Sequence, residues 1–93
     1  MAKVKNPPPF IEELRIALIR DLKKAGIKAQ IHEEPVPTTK LYRVTILAPQ
    51  FKAMRHSERQ NLVWRIAEKA LSPDDQLRIS MILTLSNEEA NRN

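Results

Sequence analysis

The chain has no cysteine and a single glycine. Without thiols it builds no disulfide, no thiolate nucleophile and no cysteine-ligated zinc or iron–sulfur centre of its own. One glycine also excludes the glycine-rich loops whose backbone amides cradle phosphates or dinucleotides. Aromatic residues make up only 4% of the chain, too few for a single-strand binder that stacks one base after another. No apolar run approaches the roughly 20 residues needed to cross a bilayer. The opening stretch MAKVKNPPP lacks the apolar core of a signal peptide. The expected location is therefore cytoplasmic, with no membrane contact.

What is present fits one small domain. The 93 residues are 42% hydrophobic and 29% charged, ordinary proportions for a globular protein. A chain of this size buries roughly 60–65% of its extended surface, enough for a single core. The formal charge is +5, with lysines and arginines gathered in the first 28 residues and again between Lys52 and Lys69. Asp74, Asp75, Glu88 and Glu89 make the C-terminal end acidic. Such a layout suits nucleic acid or an acidic protein surface, and it equally describes a solvated exterior.

Residues 1–9 are basic and end in three prolines, which hold the chain extended; they read as a lead-in to a single domain over 10–93. Residues 10–25 read as a helix, with Ile11, Leu14, Leu18, Leu22 and Ala25 on one side. Gly26 follows as its stop. A strand is expected over 27–31, then a proline-containing loop over 33–39. A second strand is expected over 41–47, placing Tyr42, Val44 and Ile46 on one face. Ser57 and Gln60 fit a capping box, opening a helix over 57–71 whose apolar side carries Leu62, Val63, Ile66, Ala67, Ala70 and Leu71. Ser72 and Pro73 break it. Leu77, Ile79, Met81, Leu83 and Leu85 alternate as one face of a third strand. Ser86 and Glu89 fit a second capping box for a short last helix. The expected fold class is α+β, in the order α-β-β-(α)-α-β-α. A three-stranded mixed sheet carries the helices on one face: the first two strands pair antiparallel, and the third joins parallel after a helical crossover.

The run from Phe51 to Leu71 carries a resemblance. Phe51 is followed by Lys52-Ala53-Met54-Arg55-His56-Ser57 and then Glu58-Arg59-Gln60-Asn61-Leu62-Val63-Trp64. This resembles the signature of the BolA-like family, a phenylalanine and short basic loop before Glu-Arg-His-Arg-Leu-Val-Tyr at a helix start. Leu85-Ser86-Asn87-Glu88-Glu89 is similar to the family's closing Leu-Thr-Pro-Glu-Glu. The resemblance spans roughly residues 10–90 and implies a KH-like α+β fold. Gln60 and Asn61 stand where the family has histidine and arginine, and Ala53 where its loop has glycine. The histidine-rich loop common between the first two strands is absent. Those histidines share an iron–sulfur cluster with a monothiol glutaredoxin in the family. Glutamine does not replace imidazole as an iron ligand, so no cofactor is expected here.

Two binding readings stay open. In the first, Lys52, Arg55, His56, Arg59 and Arg65 contact phosphates of nucleic acid, aided by the helix dipole, in a DNA-binding, transcription-regulator-like role. Gly-x-x-Gly, which brings RNA close in true KH domains, is missing. In the second, Trp64, Gln60 and Asn61 form a partner surface for a monothiol glutaredoxin or another redox or iron-handling protein. His32, Glu33 and Glu34, like His56, are too few and too scattered to argue for a metal. Ser57 beside His56 is a cap residue rather than a nucleophile–base pair. No catalytic constellation is present, and the protein is read as non-enzymatic.

Overall fold

The computed structural model describes residues 7–91. Residues 1–6, most of the expected lead-in, and residues 92–93 lie outside that range. The element order is α1 (Pro9–Lys24), β1 (Gln30–Pro35), β2 (Tyr42–Leu47), a 3-10 turn (Pro49–Ala53), α2 (His56–Ala70), α3 (Pro73–Gln76), β3 (Ile79–Leu85) and α4 (Asn87–Asn91). The fold is α+β. The sheet runs β1-β2-β3, with β1 antiparallel and β3 parallel to β2.

Helix α1 starts on Pro9, a residue suited to the first turn because its missing N–H has no helical partner to lose. It buries Phe10, Ile11, Leu14, Ala17, Leu18 and Leu22. Phe10 meets Tyr42 edge-on at 6.0 Å, with the Arg78 guanidinium 4.6 Å from its ring centroid. That contact ties the start of α1 to the sheet. At the other end Gly26 adopts φ +81. The amide of Ile27 donates to Leu22 O at 2.8 Å, and that of Gly26 to Lys23 O at 3.0 Å. This is a Schellman stop, and it buries Ile27 beside Leu22.

Two strand expectations need correction. The first strand begins at Gln30 and runs to Pro35, not over 27–31. Ile27 belongs to the helix stop, and the Lys28 amide donates to Gln50 Oε1 at 3.0 Å instead of entering a ladder. Pro35 is tolerated because β1 is an edge strand. In β3 the expected apolar face does not all point inward. Ile79, Ile82 and Thr84 are buried, while Met81 is 43% and Leu83 38% exposed and Leu77, at 77%, lies outside the strand. The register explains it. Tyr42 pairs with Ile79 but Arg43 pairs with Met81, so Ser80 is an extra residue. One inserted residue reverses the facing of everything beyond it.

The core lies between the sheet and the helices, with Val44 and Ile46 of β2, Phe51, and Val63, Ile66 and Ala67 of α2 joining the α1 residues. Leu62 and Ala70 of the expected α2 stripe are only partly buried.

Candidate functional site: the basic loop and the start of α2

Helix α2 begins two residues earlier than a Ser57 cap requires. Its N-cap is Arg55, whose backbone is extended. The Arg55 amide donates to Glu58 Oε1 at 2.8 Å. An arginine side chain has no acceptor to return the bond, so only half of a capping box is made. Ser57 is exposed and makes no cap. Gln60, expected to reach back, reaches sideways: its Nε2 donates to Ile82 O at 2.8 Å.

Arg59 lies one turn before Val63, on the buried side of α2, and points inward. Its residue is 3% exposed. Nε donates to Met54 O at 3.2 Å, and Nη1 to Thr84 O at 3.2 Å and to Glu89 Oε1 at 2.8 Å. Nη2 donates to Phe51 O and, at 3.4 Å, to Glu89 Oε2. The guanidinium also lies 5.5 Å from the Phe51 ring centroid. One buried cation thus joins the 3-10 turn, β3 and α4, meeting the buried carbonyls of Phe51 and Thr84 and the partly buried one of Met54. Arg59 is therefore corrected from an expected phosphate ligand to a structural residue, because its donors are already engaged and water does not reach it.

Glu89 is held by its own helix as well. Ser86 and Glu89 make the reciprocal capping box expected of them: the Ser86 amide donates to Glu89 Oε1 at 2.8 Å and the Glu89 amide to Ser86 Oγ at 3.2 Å. The Arg59 guanidinium, with help from the Ser86 amide, lowers the Glu89 carboxyl from 4.5 to about 2.

The other basic residues differ in how far they are neutralised. Lys52 Nζ lies 3.1 Å from Glu88 Oε2, with both side chains about two-thirds exposed. His56 Nε2 is 3.8 Å from Glu89 Oε2 and its side chain is 71% exposed. Arg55 and Arg65 are exposed and have no acidic partner among the described residues. The sequence signal for this neutralisation was the acidic end at Glu88 and Glu89, but spacing alone does not show it folding onto the loop.

Of the expected partner residues, Asn61 is exposed, whereas Gln60 and Trp64 are half-buried. Trp64 Nε1 donates to Gln60 Oε1 at 3.2 Å. The carbonyl of Leu85 accepts from Ala48 of the β2 side, so by the two-residue period of a strand those of Ile82 and Thr84 point away from β2. Gln60 and Arg59 cap those two carbonyls along the outer edge of β3. Strand β3 contains no charge and no proline, so these side chains serve where edge strands otherwise rely on charge to block pairing.

His32 lies on β1 opposite Thr45, far from the loop in the pairing order. Among the described residues no group of three or more histidines and carboxylates is close enough to hold a metal ion, and no helix is long and apolar enough to cross a membrane. No family model, curated protein or solved structure matches this chain.

Proposed function

We propose that the protein is a non-catalytic binding domain of the BolA-like, KH-like kind that engages nucleic acid through its phosphate backbone, in a DNA-associated regulatory role. The observation that carries this reading is the pair of exposed guanidinium groups, Arg55 and Arg65, unpaired among the described residues at the start and on the outer side of α2. Exposed His56 sits beside Arg55, and the first-turn amides of α2 add a favourable dipole. Lys52 joins by exchanging Glu88 for a phosphate, since an exposed ion pair holds it only weakly. Arg59 supports the site from beneath without touching the ligand.

A second reading, an adaptor for a monothiol glutaredoxin or another redox partner, draws on Trp64. A half-buried indole held by Gln60 beside exposed Asn61 is a rigid aromatic anchor of the type that dominates protein interfaces. An NMR titration against duplex DNA and against a monothiol glutaredoxin separates the two. Phosphate binding moves the amides of Lys52, Arg55, His56 and Arg65 in a salt-sensitive way. Salt-insensitive shifts centred on Asn61 and Trp64, seen with the glutaredoxin alone, favour the adaptor.

A further inference from the structure

A second cationic cluster lies away from the loop, where α1 and α2 pack together. Ala17 of α1 and Ala70 of α2 are both small, and the space their side chains leave open forms a groove. Its polar part, about 440 Å³, is bordered by Arg20, Lys24 and Lys69. An adjoining part of about 380 Å³ shares Ala17, Arg20 and Ala70 and is bordered by Ile16, an aliphatic side chain left 57% exposed. One acid sits at the basic end: Asp21 Oδ1 is 3.0 Å from Arg20 Nε. Its carboxyl is lowered first by the hydrogen bond from Arg20, with Lys24 and Lys69 also acting on it through space. Three cations around one carboxylate leave a surplus of two positive charges at the basic end, and Glu13 in the adjoining part brings it to one over the whole groove.

We infer that this groove docks an acidic peptide segment of a partner protein, its carboxylates on Arg20, Lys24 and Lys69 and a large apolar side chain against Ile16, Ala17 and Ala70. The two ends ask for different chemistry within one ligand. A carboxylate-rich segment with a leucine or phenylalanine supplies both, with the charged contacts setting orientation and the apolar one the anchor. A nucleic-acid backbone fits less well. Its phosphates find no match at Ile16, and no aromatic ring lines the groove for a base to stack on.

The test uses the full chain, isotope-labelled for NMR, and a short fluorescein-labelled peptide in which Asp and Glu flank Leu and Phe. The peptide is expected to move the amides of residues 17–24 and 66–70 and leave those of 52–59 in place. The double variant Lys24→Gln, Lys69→Gln weakens peptide binding about tenfold, the loss of two partly exposed ion pairs. Ile16→Ser weakens it further. All three side chains are exposed, so the variants keep the fold, which circular dichroism checks. A peptide that moves none of these amides, a double variant that binds as tightly as the parent, or a DNA oligonucleotide that moves the same amides as strongly overturns the proposal. Because the groove and the basic loop are read at different amides, failure of one leaves the other standing.

Discussion

Arg59 and Glu89 are 30 residues apart in sequence and meet through Nη1 and Oε1 at 2.8 Å. The arginine brings α2 and the glutamate brings α4, and the carbonyls of Phe51, Met54 and Thr84 complete the arginine's shell. The pair fixes where the basic loop sits relative to the sheet.

Replacing Arg59 with alanine leaves the buried Thr84 carbonyl without its donor, strips one donor from Phe51 O, which keeps the Met54 amide, and leaves Glu89 without its cation. The expected loss is about 3 kcal/mol, a large share of the roughly 5–14 kcal/mol available to a domain this size. Arg59→Lys recovers only part, because an ammonium cannot span a planar fork's set of acceptors. Urea denaturation measures both. A change below about 1 kcal/mol for the alanine variant contradicts the structural role.

The pH dependence follows from Glu89. Its carboxyl is lowered from 4.5 to about 2 in the folded protein, so the folded state binds the proton less readily than the unfolded chain. The stabilisation is fully present above the unfolded value, 4.5, and is lost as pH falls towards about 2. Glu89→Gln is expected to flatten stability against pH in that window, read from urea midpoints across an acid series. An unchanged slope would show that the pair contributes nothing there.

Gly26 provides a backbone test. Its φ of +81 disfavours any residue with a side chain, while an added Cβ meets nothing within 4 Å. Gly26→Ala therefore costs only the conformational term, about 1 kcal/mol, and Gly26→Asn less. Thermal unfolding measures the difference, and a much larger loss would point to crowding that the structure does not contain.

These residues also show what could be read from sequence. The helix α1 and its glycine stop were legible because an apolar spacing and a unique Gly26 coincide locally. Strand β2 and the Ser86–Glu89 box were legible for the same reason: each is decided by neighbours in the chain. Strand β3 was found, but its facing was not. The odd positions from Leu77 to Leu85 are all apolar, but Ile82 fills an even one as well, so alternation alone does not fix the facing beyond Met81, and the extra residue at Ser80 exists only in the pairing with β2. The Ser57 cap failed because Glu58 is equally able to close a turn begun at Arg55. The inward direction of Arg59 follows from its place on the apolar side of α2, yet its partners lie in three other elements, which no local pattern records. The Arg15–Glu33 pair, at 2.6 Å with the Glu33 side chain 8% exposed, escaped notice because residue 33 was expected in a loop.

The acidic end of the chain tempers the basic loop. Glu88→Gln removes the exposed partner of Lys52 and is expected to raise DNA affinity about twofold at low salt, measured by fluorescence anisotropy. Weaker binding in this variant would show that Glu88 assists the ligand rather than competing with it.

The most direct measurement is the salt dependence of DNA affinity for the parent protein and for the Arg55→Ala and Arg65→Ala variants. Each arginine that releases a counterion from a phosphate steepens the plot of log affinity against log salt by about one unit. The account predicts a falling line for the parent, shallower by about one unit in either variant, with similar losses on unrelated DNA sequences. A parent whose affinity ignores salt, or variants that match its slope, would contradict it.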